Sequence, residues 1–110
     1  MLVVSHFEAG APEFVARAHA AMTALAARPG YVRGHLGRSL DEPAHWCLVT
    51  EWESVGAYRR ALSAYDVKLY GSPLLAESAD LPSAFEVLAY TDDGGKIVEA
   101  PSDRAPDADV

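Results

Sequence analysis

A strand that passes almost at once into a helix is the feature that most constrains this chain. Residues 46–52 form an apolar, β-branched run with a tryptophan at each end, which is typical of a strand. Ser54 is a good helix N-cap, and apolar residues recur at helical spacing from Val55 to Leu69. So short a turn folds the helix back over its own strand, and side chains of both elements face one gap. That gap is either closed core or a small-molecule pocket.

The remaining patterns place three further strands and one helix around this unit. Pro12 suits the first position of a helix, and Gly34 and Gly37 indicate a bulge or a close backbone approach within the second strand. A partly helical stretch precedes Pro82. The predicted strands are Leu2–Glu8, Tyr31–Leu40, His45–Trp52 and Ser83–Thr91, and the predicted helices are Pro12–Leu25 and Val55–Ala64. This βαββαβ order predicts an α+β, ferredoxin-like fold, with a four-stranded antiparallel sheet and two helices on one face.

Both faces of the predicted sheet carry apolar side chains. On the third strand, Trp46, Leu48 and Trp52 point one way, whereas Cys47 and Val49 point the other. Two helices cover only one face of a four-stranded sheet, so the second face needs a partner. A second copy of the same sheet is the simplest one, and we therefore expect a homodimer.

The 110 residues suffice for one domain, which we expect to span residues 1–91. Residues 92–110 form an acidic tail rich in Pro, Ala and Asp, and this composition favours flexibility. Within the tail, Lys96–Val98 could still pair as a short strand with the partner subunit. The tail carries six acidic and two basic residues, a net charge of −4 out of −7 for the chain. The folded body is therefore nearly balanced in charge.

Several classes of function are disfavoured by this composition. There is no basic stripe for nucleic acid or for an anionic membrane surface, and no apolar run approaches the ~20 residues that span a bilayer. The N-terminus reads directly as a strand rather than as a signal peptide. Cys47 is the only cysteine, which suits a reducing compartment. We therefore expect a cytoplasmic protein without nucleic-acid or membrane partners.

Together with the βαββαβ order, three short motifs resemble the antibiotic biosynthesis monooxygenase superfamily. They are Arg-Pro-Gly-Tyr at 28–31, Glu-Trp-Glu-Ser at 51–54 and Ala-Tyr-Arg at 57–59. The resemblance covers roughly residues 1–91 and implies a dimeric α+β barrel. It also implies a cofactor-independent monooxygenase that uses molecular oxygen on an aromatic or polyketide-like small molecule.

The resemblance also implies a set of site residues. Trp52 and Tyr58 fall on the Trp and Tyr of the quinone-forming oxygenases, and Leu48 stands where these enzymes have Asn. The haem-degrading branch of the superfamily needs a His after the second helix, and residues 65–79 contain none. We therefore expect no cofactor.

Other residues are candidates from their types and positions. His6 and His35, on strands, are possible general bases, because an unperturbed imidazole titrates near neutral pH; a structural role is the alternative for both. Leu62, Tyr65 and Tyr70 are candidates for the pocket wall or its mouth, and Arg33 could attract a phenolate or carboxylate. None of the four histidines has a metal-binding spacing to another His or to Cys47, so no metal site is predicted.

Two functions of different classes remain open. One is the oxygenase, or a related isomerase or cyclase on the same barrel. The other is a non-catalytic dimeric barrel that binds a small molecule, which the apolar Leu48 would favour.

Overall fold

The computed structural model describes residues 1–102 and confirms the predicted element order through the second helix. The strands are β1 (Leu2–Glu8), β2 (Tyr31–Arg38), β3 (His45–Trp52), β4 (Ala84–Phe85), β5 (Ala89–Thr91) and β6 (Ile97–Glu99). The helices are α1 (Glu13–Ala26), α2 (Val55–Leu62) and α3 (Ser72–Leu75), and a π-helical turn, Val67–Gly71, leads into α3. None of the helices in this range is long and apolar enough to cross a bilayer.

The main sheet has four strands in the order β2-β3-β1-β4, and each neighbouring pair is antiparallel. This is the ferredoxin-like topology that the sequence predicts. Alternation along the strands decides which side chains enter the core. On β3, Trp46, Leu48, Thr50 and Trp52 are buried under the helices. The intervening residues project from the opposite side, which we call the bare face.

Several predicted boundaries are corrected. The first helix begins at Glu13, one residue after Pro12. The second strand ends at Arg38 rather than Leu40, because the Ser39 hydroxyl accepts the N–H groups of the next turn, Asp41 at 3.2 Å and Glu42 at 3.0 Å. The second helix ends at Leu62 rather than Ala64. The irregularity in β2 lies at residues 31–33 rather than at its glycines.

The predicted single strand Ser83–Thr91 is wrong. Only β4 joins the main sheet, beside β1, whereas β5 pairs with β6 in a separate antiparallel hairpin. The Asp92 carboxylate accepts the N–H groups of Gly94 and Lys96, both at 2.9 Å, and this contact closes the hairpin turn. The predicted domain boundary after Thr91 therefore falls inside the hairpin, and β6 pairs within its own chain. Residues 103–110 of the predicted tail lie outside the described residues.

The turn into α2 has the predicted cap. Ser54 has extended backbone geometry, and its hydroxyl accepts the N–H of Ala57 at 3.0 Å. The N–H of Glu53 is bound by the carbonyl of Gly30, 2.8 Å away. The α1–β2 turn and the β3–α2 turn are thus joined, which fixes the start of α2 over the sheet.

Gly30 occupies the point where these two turns meet. Its φ of +89° is disfavoured for residues with a side chain, and a Cβ at this position would lie 2.4 Å from the Cβ of Ala57. A glycine is therefore required both by the backbone and by the neighbouring helix.

We expect Gly30→Ala to lower the free energy of unfolding by at least ~1–2 kcal/mol, because backbone strain and a clash add together. Urea denaturation measures this change. Gly10→Ala is the matched control, since a Cβ there meets nothing within 4 Å. Adding Ala57→Gly to Gly30→Ala should relieve the clash but not the strain. Equal stability of Gly30→Ala and the wild type would contradict this account of the turn.

Candidate functional site

The core under the helices is divided into two clusters of buried side chains. The first includes Val3, Leu25 and Trp52, and the second includes Phe7 and Leu48. The clusters lie at opposite ends of the sheet, and the side chains between them on β1 and β3 are polar. The interior between sheet and helices is therefore not uniformly apolar.

Three aromatic rings lie together at the first cluster, and we call them the aromatic trio: Tyr31, Trp52 and Tyr58. The rings of Tyr31 and Trp52 meet edge to face, with centroids 5.3 Å apart, because the two residues are paired across β2 and β3. The ring of Tyr58 reaches Trp52 from α2, with centroids 5.4 Å apart. Trp52 is 1% exposed and is the centre of the trio.

The predicted meeting of Trp52 and Tyr58 between sheet and helix is present, but the expected open space between their rings is not. The rings are in contact, so a ligand would lie beside the pair rather than between its members. The indole N–H of Trp52 donates to the hydroxyl of Thr50 at 2.9 Å. This donor is therefore already engaged within the chain.

The two tyrosine hydroxyls differ from the indole. Within residues 1–102, neither Tyr31 nor Tyr58 has a hydrogen-bond partner for its hydroxyl. In the same range, every side-chain nitrogen or oxygen atom that is fully buried has a hydrogen-bond partner. Each hydroxyl is therefore reached by solvent although its ring packs on the core. Burial raises the pKa of both tyrosines. They remain protonated at neutral pH, and each can donate a hydrogen bond to a ligand.

Polar and small residues line the sheet between the two clusters. Ser5 and Thr50 are each 3% exposed, and the Ser5 hydroxyl has no hydrogen-bond partner within residues 1–102 but is not fully buried. The Tyr31 hydroxyl lies over Gly34, 2.3 Å from where a Cβ would stand. Gly34 therefore leaves room for a side-chain hydroxyl rather than for the predicted close backbone approach. Leu48 pairs with Ser5 across the strands and presents only an apolar surface beside it.

The other predicted site residues on this side of the sheet are dispersed. Leu62 packs partly buried against the first cluster, next to the aromatic trio. Tyr65 and Tyr70 are 77% and 50% exposed. Tyr70 borders a shallow groove against α1, near Thr23, and Tyr65 takes no part in it. The structure therefore brings Leu62 to the trio and leaves both tyrosines outside it.

The two predicted bases project from the bare face. His6 on β1 pairs with Cys47 on β3, and His35 on β2 pairs with Val49 on β3. His6, Cys47 and Val49 alternate with the buried residues of their strands, so these pairs lie on the bare face. Within a single chain, the sheet therefore separates both candidate bases from Trp52.

Arg33 also lies on the bare face, where its Nε is 2.8 Å from a carboxylate oxygen of Glu51. The Glu51 carboxylate thus neutralises the positive charge of Arg33, which was expected to attract an anionic ligand. Arg33 and His35 border a groove of about 460 Å³ between the main sheet and the β5–β6 hairpin. The groove is on the opposite side of the sheet from the aromatic trio.

Sequence reasoning missed Tyr31 and Ser5. Tyr31 was part of the quoted Arg-Pro-Gly-Tyr motif, and the strand register that places it opposite Trp52 was the signal that could have identified it. Ser5 is one polar residue in an apolar strand, and such a residue on the buried face is a signal for a polar site.

Comparisons with known proteins agree with this fold. The family model described as antibiotic biosynthesis monooxygenase matches residues 3–70, which include β1–β3, α2 and the whole aromatic trio. No curated protein matches the chain.

Among solved structures, SnoaB, a cofactor-independent oxygenase from Streptomyces nogalater, is 28% identical, with a TM-score of 0.61 over 79% of this chain and 93% of SnoaB. A conserved protein from Methanosarcina mazei Go1 is 19% identical, with a TM-score of 0.61 over 76% of this chain and 84% of its own. A putative antibiotic biosynthesis monooxygenase from Nitrosomonas europaea is 11% identical, with a TM-score of 0.59 over 73% of this chain and 87% of its own.

The fold and the candidate site together define an α+β, ferredoxin-like protein in which two tyrosine hydroxyls lie beside a buried tryptophan at the start of the second helix. The chain belongs to the antibiotic biosynthesis monooxygenase family.

The raised tyrosine pKa values make stability depend on pH in the alkaline range. The unfolded chain releases a tyrosine proton at its ordinary pKa of 10.0, whereas the folded chain retains it. The contribution to stability is therefore complete below this pH and is lost as the pH rises through the raised pKa.

We expect the free energy of unfolding to fall above about pH 10, and to fall less steeply in Tyr58→Phe. Urea denaturation at a series of alkaline pH values measures both slopes. Tyr65→Phe, at an exposed position, should keep the slope of the wild type. Identical slopes in Tyr58→Phe and the wild type would show that the Tyr58 hydroxyl is not held in a desolvated environment.

Proposed function

We propose that this protein is a cofactor-independent monooxygenase that oxidises an electron-rich aromatic small molecule with molecular oxygen. The observation that carries the proposal is the aromatic trio, which offers two solvent-reached tyrosine hydroxyls in an otherwise apolar setting within a family of monooxygenases. The 28% identity to SnoaB, a cofactor-independent oxygenase, supports the same class of reaction. The expected setting is the cytoplasm.

The reaction balances without a flavin or a metal. An anthrone, for example, loses four electrons when its methylene carbon becomes a carbonyl, and one O₂ accepts all four. One oxygen atom enters the product as the carbonyl oxygen, and the other leaves as water. The substrate first loses a proton, and its anion passes an electron to oxygen. The protein therefore has to bind the anion, exclude water and stabilise negative charge as it develops on oxygen.

The residues of the trio fit different parts of this task. Tyr58 and Tyr31 stay protonated and can donate to a phenolate or peroxide oxygen, which is the usual means of stabilising an oxyanion. The hydrogen bond from the Trp52 N–H to Thr50 fixes the indole, and the indole in turn holds the two tyrosine rings that pack against it. Leu62, which packs beside the trio, supplies apolar surface for the substrate.

We expect oxygen uptake when the protein is mixed with dihydroxynaphthalenes or anthrones in the presence of a chelator and without flavin. Tyr58→Phe should keep the fold and slow turnover by about 10²-fold, because it removes one positioned donor. An oxygen electrode measures the rate, and product absorbance measures quinone formation. The matched control is Tyr65→Phe, which should retain the wild-type rate.

An equal rate in Tyr58→Phe and the wild type would remove Tyr58 from the reaction. Absence of uptake across the panel, together with saturable binding of the same compounds, would favour the second candidate function, a non-catalytic binding barrel. Leu48 is the observation behind this alternative, because it presents no polar group beside Ser5.

We also propose that the protein is a homodimer formed through the bare face. Val4 and Val49 lie there side by side in register and are only partly buried within one chain. The β5–β6 hairpin beside this face exposes Tyr90 and Ile97 by 54% and 74%. A second copy would cover both surfaces and complete the barrel.

We expect sedimentation velocity to give a dimer at micromolar concentration, and Val49→Glu to give a folded monomer, since a charge at this position would be buried without a partner. The control is Leu40→Glu at a fully exposed position in the β2–β3 turn, which should remain dimeric. A wild-type protein that sediments as a monomer would contradict the proposed interface.

A further inference from the structure

A cluster of ligand-type side chains lies at the opposite end of β3 from the aromatic trio. It consists of Glu8 at the end of β1, Glu42 in the β2–β3 turn and His45 at the start of β3. One potential ligand atom from each residue lies within 4.8 Å of the other two. The sequence predicted no metal site, because none of the histidines has a metal-binding spacing to another His or to Cys47.

We propose that Glu8, Glu42 and His45 form a binding site for a divalent transition-metal cation, with Zn²⁺ as the representative ion. One imidazole nitrogen and two carboxylate oxygens are a donor set that zinc accepts in proteins, with water completing the coordination. Ligand atoms on one tetrahedral zinc are roughly 3.4 Å apart. The most distant pair therefore needs to close by a little over 1 Å at most, whereas His45 Nδ1 and Glu8 Oε1, now 2.6 Å apart, need to separate by about 0.8 Å.

His6 lies beside the cluster and can hold the His45 ring in place. The Nδ1 of His45 lies 2.6 Å from Glu8 Oε1, and its Nε2 lies 3.0 Å from the Nδ1 of His6. A carboxylate only accepts, so without a metal the N–H at Nδ1 donates to Glu8. A metal at Nδ1 would replace that proton, and a neutral His45 would then carry its proton on Nε2, facing His6. A hydrogen bond at the second ring nitrogen of a metal-binding histidine fixes the tautomer and the ring orientation. His6 is thus a positioning residue rather than a ligand.

The backbone already holds the three ligands near one another. Glu8 and His45 are paired across β1 and β3, and the N–H of His45 donates to the carbonyl of Glu42 at 2.8 Å. In a single chain the Glu8 side chain is 68% exposed and that of His45 is 35% exposed, so an ion can reach them there from solvent. Binding would join the end of β1, the start of β3 and the turn between β2 and β3.

This site is separate from the proposed oxygenase chemistry. His45 and Trp52 are at opposite ends of β3, a separation of roughly 23 Å at about 3.3 Å per residue. His45 and Trp52 also belong to different faces of the sheet. We therefore expect the cation to stabilise this corner of the fold and to leave oxygen uptake unchanged.

The test uses the full chain without an affinity tag, treated with chelator and then titrated with ZnCl₂ in a calorimeter and with Co²⁺ in a spectrophotometer. We expect one Zn²⁺ per chain, a Tm that rises with zinc concentration, and visible absorption from bound Co²⁺. Glu42→Gln and His45→Gln should each weaken binding by at least about tenfold. Glu42 is exposed in a turn, so its variant is expected to fold normally.

Two further comparisons separate a built site from general histidine affinity. His6→Ala should weaken binding by about 10-fold to 100-fold while the stoichiometry is kept, and His6→Gln, which retains a hydrogen-bond acceptor, should recover part of the loss. His19→Gln on the exposed side of α1 should bind as the wild type does. No zinc uptake at micromolar concentration, unchanged binding in Glu42→Gln, or lost binding in His19→Gln would each overturn the proposal.

Discussion

The packing of Trp52 is the interaction on which the rest of the structure depends. Its indole is buried between Tyr31 and Tyr58, and its N–H is held by Thr50. It thereby connects β2, β3 and α2 at the position where the chain turns from strand to helix. A smaller side chain would leave a cavity at this junction and would remove the surface against which both tyrosine rings are held.

The two faces of the main sheet carry different kinds of side chain. Under the helices, polar groups are few and lie between two apolar clusters, which suits an anion that must be kept from water. On the bare face, charged and imidazole groups pair with one another, as in the Arg33–Glu51 ion pair and the contact between His6 and His45. Because side chains alternate along each strand, consecutive residues of a strand point to opposite faces of the sheet.

Local patterns were sufficient for much of the fold. Alternation on β3, the Ser54 cap and the order of elements along the chain through α2 were all predicted, because each depends on neighbouring residues. The failures involve distant contacts or short segments. The division of the fourth strand into β4 and β5 depends on the hairpin closed by Asp92, and the placement of His6 and His45 depends on register between strands 39 residues apart. The family resemblance pointed to Trp52 and Tyr58, and the short strand-to-helix turn predicted that they meet, whereas Tyr31 comes from another strand.

The central claim is that the aromatic trio is where an aromatic ligand binds. The chain has two tryptophans, one in each core cluster, so the two indole N–H groups are built-in reporters for heteronuclear NMR. A dihydroxynaphthalene titrated without oxygen should shift the Trp52 indole signal, with saturation, and leave that of Trp46 nearly unchanged; Trp46→Phe assigns the signals. A shift confined to Trp46, or no shift at either indole, would contradict this assignment of the site.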